Sequence, residues 1–187
     1  MSPNARDALY YLIRTVFDLV LWLWIIRVIL QLVRADFYNP FSQMVWQLTQ
    51  PVLKPLQAFV PRWRNIDFAA CGVVVALSLV YVYTMAWIVG HPPQLPLDAA
   101  LEIAVLKVIV MTLDLYTFTV IVQAILSWVG PGVANPVGSL LWSINEPLLR
   151  PVRRIIPPLS GLDFSPLVVM IALQFVSRLI SLESVFR

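Results

Sequence analysis

Thr49-Gln-Pro-Val-Leu-Lys-Pro-Leu, residues 49–56, returns at residues 145–152 as Asn-Glu-Pro-Leu-Leu-Arg-Pro-Val, with both prolines and the basic residue in register. The offset is 96 positions (145 minus 49), and it extends in both directions without a gap. Upstream, Asp18 falls on Asp114, Ile29-Leu30 on Ile125-Leu126, Val33 on Val129, Asn39-Pro40 on Asn135-Pro136 and Trp46 on Trp142. Downstream, Pro61 meets Pro157, Asp67-Phe68 meets Asp163-Phe164, and Ala76-Leu77 meets Ala172-Leu173. Apolar matches come easily in an apolar chain, but prolines and aspartates sharing one register do not. The chain is therefore read as a tandem duplication, with a first unit over residues 1–90, a short connecting loop at 91–98 and a second unit over 99–187.

The surroundings of the repeat point to lipid. Of 187 residues, 60% are hydrophobic and only 12% charged, whereas soluble domains carry about a quarter charged residues. That much apolar surface needs a solvent other than water. A helix crosses the ~30 Å hydrocarbon core with about 20 apolar residues. Four stretches qualify: about Tyr11 to Val33, Ile66 to Val89, Ile103 to Val129 and Leu162 to Leu182. The fold class expected is an all-α membrane protein with four transmembrane helices in two parallel tandem repeats, each helix–interfacial amphipathic helices–helix. An even number of spans per unit makes the repeats parallel, related by a pseudo-twofold axis along the membrane normal. The first span is not read as a signal peptide, because its repeat partner lies mid-chain.

Within each unit, about 30 residues connect the spans. Asn39-Pro40 and Asn135-Pro136 present an N-cap side chain ahead of proline at the first helical position. Phe41, Met44, Val45, Leu48 and Val52 then recur at helical spacing, as do Val137, Leu140, Leu141, Ile144 and Leu148. Pro51 and Pro147 are expected to stop these helices, with a second short amphipathic turn following. In the second unit that turn sets Arg150, Arg153 and Arg154 opposite an apolar side, and Lys54 matches Arg150. Such pieces are too short to span; they are expected either to lie in the interface against anionic lipid headgroups or to cap the spans. The basic residues concentrate in these loops, which places the loops in the cytoplasm and the termini in the periplasm.

Candidate site residues are few. Asp67 and Asp163 open spans and read first as helix N-caps at the positive end of the dipole. Asp18 and Asp114 lie inside spans, where an unpaired charge costs ~2.5–3.5 kcal/mol. Either each pairs with a base on its own helix, Arg14 or Lys107, or the two aspartates face each other across the pseudo-axis and line a polar seam with Arg27 and Gln123. One cysteine, Cys71, and one histidine, His91, leave no multi-ligand metal site and no catalytic set. The chain is accordingly read as non-enzymatic, without cofactor or metal, and a net charge of +3 suggests no nucleic-acid partner. The bilayer, a second copy or another membrane protein are the partners expected.

Arg34-Ala-Asp-Phe-Tyr-Asn-Pro-Phe-Ser-Gln, Thr49-Gln-Pro-Val-Leu-Lys-Pro-Leu, Asn145-Glu-Pro-Leu-Leu-Arg-Pro-Val-Arg-Arg-Ile-Ile-Pro-Pro and Leu162-Asp-Phe-Ser-Pro resemble the YggT family of bacterial membrane proteins. The resemblance covers residues 14 to 182 or so. It implies a plasma-membrane protein connected with osmotic or envelope stress or with potassium uptake, and, through plastid relatives, with cytochrome maturation or division. Asp67-Phe-Ala-Ala departs from the pattern, lacking the Ser-Pro that follows Asp163-Phe. On this basis a non-enzymatic envelope scaffold or assembly factor is expected first. An oligomeric cation pathway comes second and a maturation or division factor third.

Overall fold

A computed structural model describes residues 3–60, 64–90, 95–129, 136–156, 163–180, 182 and 186. Six helices follow in chain order: α1 (Pro3–Leu32), α2 (Pro40–Leu56), α3 (Phe68–Val89), α4 (Leu97–Val129), α5 (Pro136–Ile155) and α6 (Ser165–Leu179). Three of them, α1, α3 and α4, are long and apolar enough to cross a membrane. At 1.5 Å per residue they measure ~45, ~33 and ~50 Å. The long helices α1 and α4 are repeat counterparts, as are α2 and α5.

The fourth expected span is shorter than its sequence window. Helix α6 has 15 residues, or ~22 Å. It ends because the chain turns back: Leu182 and Phe186 are buried in a cluster with Tyr81, Met85 and Ala104, so the last apolar residues pack against α3 and α4 instead of lengthening α6. The third span departs the other way, since α4 already begins at Leu97, inside the loop expected over 91–98; His91 lies outside the described residues.

The prolines do not break α2 and α5. Helix α2 runs through Pro51 and Pro55, and α5 through Pro147 and Pro151, so each pair of expected short pieces is one helix. Proline removes an i→i−4 hydrogen bond and crowds the carbonyl one turn earlier. Here all four prolines are exposed, leaving those carbonyls on a face where water or headgroups can meet them. Tertiary contact on the opposite face holds the helix: Ser42, Val45, Thr49 and Leu53 are buried along α2, and Leu141, Ile144, Asn145 and Leu149 along α5. The apolar stripe read from α2 is thus only partly its buried one. Val45 is buried, but Phe41, Met44, Leu48 and Val52 are exposed.

Helix ends follow local chemistry. The Asn39 side chain accepts from the Phe41 N–H at 3.0 Å, and Asp67 from the Ala70 N–H at 3.2 Å, each satisfying one free first-turn amide. Asn135 lies outside the described residues. Asp163 is one position early, because Phe164 occupies the cap position of α6; Asp163 nevertheless accepts from the Ser165 N–H at 2.9 Å. Helix α3 closes on Gly90 at φ 78, the left-handed conformation that glycine tolerates. Arg6 reaches over this end from α1, its Nε donating to the Ile88 carbonyl at 2.7 Å.

The helices pack α1 on α3 and α4 on α6 within the repeats, and α3 and α1 on α4 between them. The Asn39 amide also donates to the Pro136 carbonyl at 2.6 Å, bringing the starts of α2 and α5 together. A closed pseudo-twofold would match the α3–α4 packing with an equal α6–α1 packing. Among the described residues, α6 makes at most a marginal contact with α1, so the expected axis is broken at this edge and α6 keeps an apolar outer face of Leu167, Ile171, Phe175 and Leu179.

Candidate functional site

The repeat-related residues sort into four places, each made by helix packing. In the first, α4 presses Lys107 against α1 and α3. Lys107 is only 2% exposed, its Nζ lies 2.8 Å from Asp18 Oδ1, and Arg14 approaches the same carboxylate at 3.7 Å. The ammonium also lies 4.6 Å from the centre of the Tyr81 ring. A charge taken out of water needs such compensation. Asp18 thus pairs with Arg14 on its own helix, whereas Lys107 makes its close contact across the repeats, with Asp18. Asp114 has a different neighbour, the Ser177 hydroxyl at 3.4 Å. At the 96-residue offset Ser177 is the counterpart of Tyr81, so each aspartate lies near the matching position of its partner helix, and only one is met by a lysine. Both aspartates nevertheless act on Lys107, Asp18 in direct contact and Asp114 through its field at longer range.

The second place joins α5 to α4. Asn145, fully buried, accepts from the Thr119 hydroxyl at 2.8 Å and donates to Gln123 Oε1 at 2.8 Å. Its counterpart Thr49, also fully buried, donates to the Val45 carbonyl at 2.7 Å. Gln123 therefore locks α5 to α4. Sequence reasoning passed over Asn145 and Thr49, although both are polar at the same register of an apolar stripe, which was the available signal.

The third place is a pair of tethers. In the first repeat Gln50 donates to Gln57 at 3.3 Å and Gln57 to Asp67 at 2.6 Å. In the second, Arg153 binds both Glu146 and Asp163 at 2.8 Å. Adding 96 to 50, 57 and 67 gives 146, 153 and 163, so one three-residue link occurs twice, centred on a neutral glutamine in the first copy and on an arginine ion pair in the second. Each ties the end of α2 or α5 to the start of the next helix. Burial works to raise the Asp163 carboxyl pKa, but the Ser165 hydrogen bonds and the Arg153 guanidinium outweigh it and hold the group below its ordinary value. Of the basic residues expected to meet headgroups, Lys54, Arg150 and Arg154 are exposed, whereas Arg153 is half-buried and engaged by Glu146 and Asp163.

The fourth place is a cavity of about 390 Å³ between the end of α1 and the start of α2, lined by Arg27, Gln31, Arg34, Phe37, Ser42 and Trp46 among others. Arg27 is thus separated from Gln123, its repeat counterpart. Of the four residues read as one polar seam, Asp18 and Asp114 flank the Lys107 cluster, Gln123 belongs to the Asn145 lock and Arg27 to this cavity.

A duplicated helical architecture with long apolar helices and polar links buried between them defines a polytopic protein of membrane character, assembled from two copies of one unit. The chain belongs to the CCB3/YggT family, whose model matches residues 6–88 and 103–183. It is 37% identical to an uncharacterized protein of Pseudomonas aeruginosa over 94% of this chain and 89% of that one. It is 35% identical to the uncharacterized protein YggT of Escherichia coli K12, over 91% and 88%. The YlmG homolog protein 2, chloroplastic, of Arabidopsis thaliana is 31% identical over 46% of this chain and 34% of its own. No solved structure matches the chain.

Proposed function

We propose that this protein is a non-enzymatic scaffold or assembly factor of the bacterial inner membrane. In this reading α1, α3, α4 and the shorter α6 cross the bilayer, and α2 and α5 lie along its cytoplasmic interface. One observation carries the reading. Helix α2 buries one face against the spans and leaves Phe41, Met44, Leu48 and Val52 exposed on another, with exposed Lys54 close by. Such a helix gains by sinking its free apolar face to headgroup depth. Through the Gln50–Gln57–Asp67 and Glu146–Arg153–Asp163 links, whatever binds this surface bears directly on the transmembrane helices. A role in the osmotic or envelope stress response fits an interfacial element of this kind, which is sensitive to lateral pressure and lipid charge.

The competing reading is an oligomeric potassium pathway, or an accessory to potassium uptake, along Asp18 and Asp114. It would have to admit a cation where the Lys107 ammonium already stands, 2.8 Å from Asp18. A single experiment separates the two. A deletion strain under hyperosmotic stress is complemented with wild type, with Asp18→Asn/Asp114→Asn or with Met44→Asp/Leu48→Asp. The same proteins are then assayed for rubidium flux in liposomes. The scaffold reading expects no flux above empty liposomes and loss of rescue only in the α2 variant. Flux that the aspartate variant abolishes, together with its loss of rescue, would replace it with the pathway.

A further inference from the structure

We infer that the cavity between α1 and α2 is a binding site for a phosphate-bearing anion, supplied either by the headgroup of an anionic phospholipid or by free phosphate. The inference rests on the interfacial placement of α2 proposed above, and it adds a defined site to what was a general surface. Among the described residues, Arg27 and Arg34 line the cavity and no acidic residue does. Arg27 is only 9% exposed, so its charge lies in a setting where an anionic partner counts for most. Ser42, 7% exposed, and Gln31 line the same cavity, and the Ser42 hydroxyl and Gln31 Oε1 lack hydrogen-bond partners. A hydroxyl left so is a donor for a phosphate oxygen after a rotation about χ1. Ser42 stands in the first turn of α2, a 17-residue helix, whose dipole turns its positive end toward this corner. Phe37 and Trp46 form an apolar wall beside the charges, the surroundings expected where a headgroup meets acyl chains.

Arg34 supplies an independent observation. Helix α1 closes with the Ala35 N–H donating to the Leu30 carbonyl at 2.9 Å and the Arg34 N–H to Gln31 at 3.2 Å, which puts Arg34 in the left-handed position at φ 54. That position favours glycine, and the counterpart 96 residues on is Gly130. The first repeat accepts backbone strain in order to carry an arginine where the second carries none. Its Nε donates to Asn65 at 2.9 Å, holding the guanidinium at the mouth. Gln123 likewise stands where the first repeat has Arg27, so neither cavity arginine has a basic counterpart in the second repeat.

Native mass spectrometry of the purified full-length protein tests the assignment, with retained lipid counted after addition of phosphatidylglycerol or phosphatidylcholine, each with and without inorganic phosphate. Wild type should retain phosphatidylglycerol in preference to phosphatidylcholine. Arg34→Gly, which relieves strain at an exposed residue, should lower that retention by about tenfold, the loss of one charge-assisted hydrogen bond, with no fall in melting temperature. Arg27→Gln, which installs the second repeat's residue, should act in the same direction. Lys54→Gln/Arg154→Gln removes two exposed charges elsewhere on the interfacial helices and should change retention by less than about twofold. Phosphate that displaces the lipid from wild type, and itself remains bound, would support the site with a soluble anion as its ligand. Equal retention of the two lipids without bound phosphate would overturn the inference. So would a loss in the Lys54/Arg154 variant equal to that in the cavity variants, although that result would leave the interfacial reading of α2 and α5 standing.

Discussion

Lys107 carries its charge at 2% exposure, and its surroundings explain how the helices tolerate it: Asp18 at 2.8 Å, with the Tyr81 ring on another side. Removing one member of a buried pair leaves the other without compensation. Lys107→Ala should therefore destabilise the protein by ~3 kcal/mol, read as resistance to unfolding in mixed micelles. Lys107→Met combined with Asp18→Leu should recover most of that loss, because neither charge then remains to be solvated. If the double variant is no more stable than the single one, the pair is not the reason Lys107 can be buried. Gly90 offers a second residue-scale test. Its φ of 78 and the Arg6 guanidinium 3.1 Å from where a Cβ would stand both oppose a side chain, so Gly90→Ala should cost ~1–2 kcal/mol, whereas Gly72→Ala, inside α3 with open space around it, should stabilise the protein by up to ~1 kcal/mol through helix propensity.

At the level of elements, the two tethers form a natural comparison. Glu146→Gln/Arg153→Gln rewrites the second link as the first, Gln50–Gln57–Asp67, and should cost no more than ~1 kcal/mol. Arg153→Ala alone, by contrast, leaves Glu146 and Asp163 facing each other. The charged copy should also respond to acid. The folded Asp163 carboxyl has a pKa below its unfolded value of 3.8, so its contribution is fully present above that value and is lost as pH falls through the folded one. Melting measured from neutral to acid pH should show a steeper acid decline in wild type than in Asp163→Asn. Parallel curves would mean that the Arg153 contact does not survive in solution. The interfacial helices also show where reading by residue type fell short. Pro51 and Pro147 are reliable helix breakers in isolation, but on an exposed face, with Leu53 and Leu149 buried behind them, packing retains the helix.

Across the whole molecule, the Asn39–Pro136 hydrogen bond at 2.6 Å sets α2 and α5 side by side, as parallel repeats require. Single cysteines replacing Lys54 and Arg150 in a Cys71→Ser background should both react with an impermeant thiol reagent from the cytoplasmic side of sealed vesicles, and one replacing Ala5 from the opposite side. Labelling of Lys54→Cys and Arg150→Cys from opposite sides would rule out the parallel arrangement. The duplication, the apolar character of the long helices and the caps at Asn39 and Asp67 were all legible in the sequence, because each depends on spacing along one chain or on a residue's own hydrogen-bonding chemistry. The partner of Lys107, the separation of Arg27 and Gln123 from Asp18 and Asp114, and the cavity between Arg27 and Ser42 were decided by tertiary structure. These depend on which faces of different helices meet. Two copies of one unit cannot fix that alone once substitutions such as Tyr11 for Lys107 or Gly130 for Arg34 have made their surfaces unequal, since close packing then selects a single asymmetric arrangement.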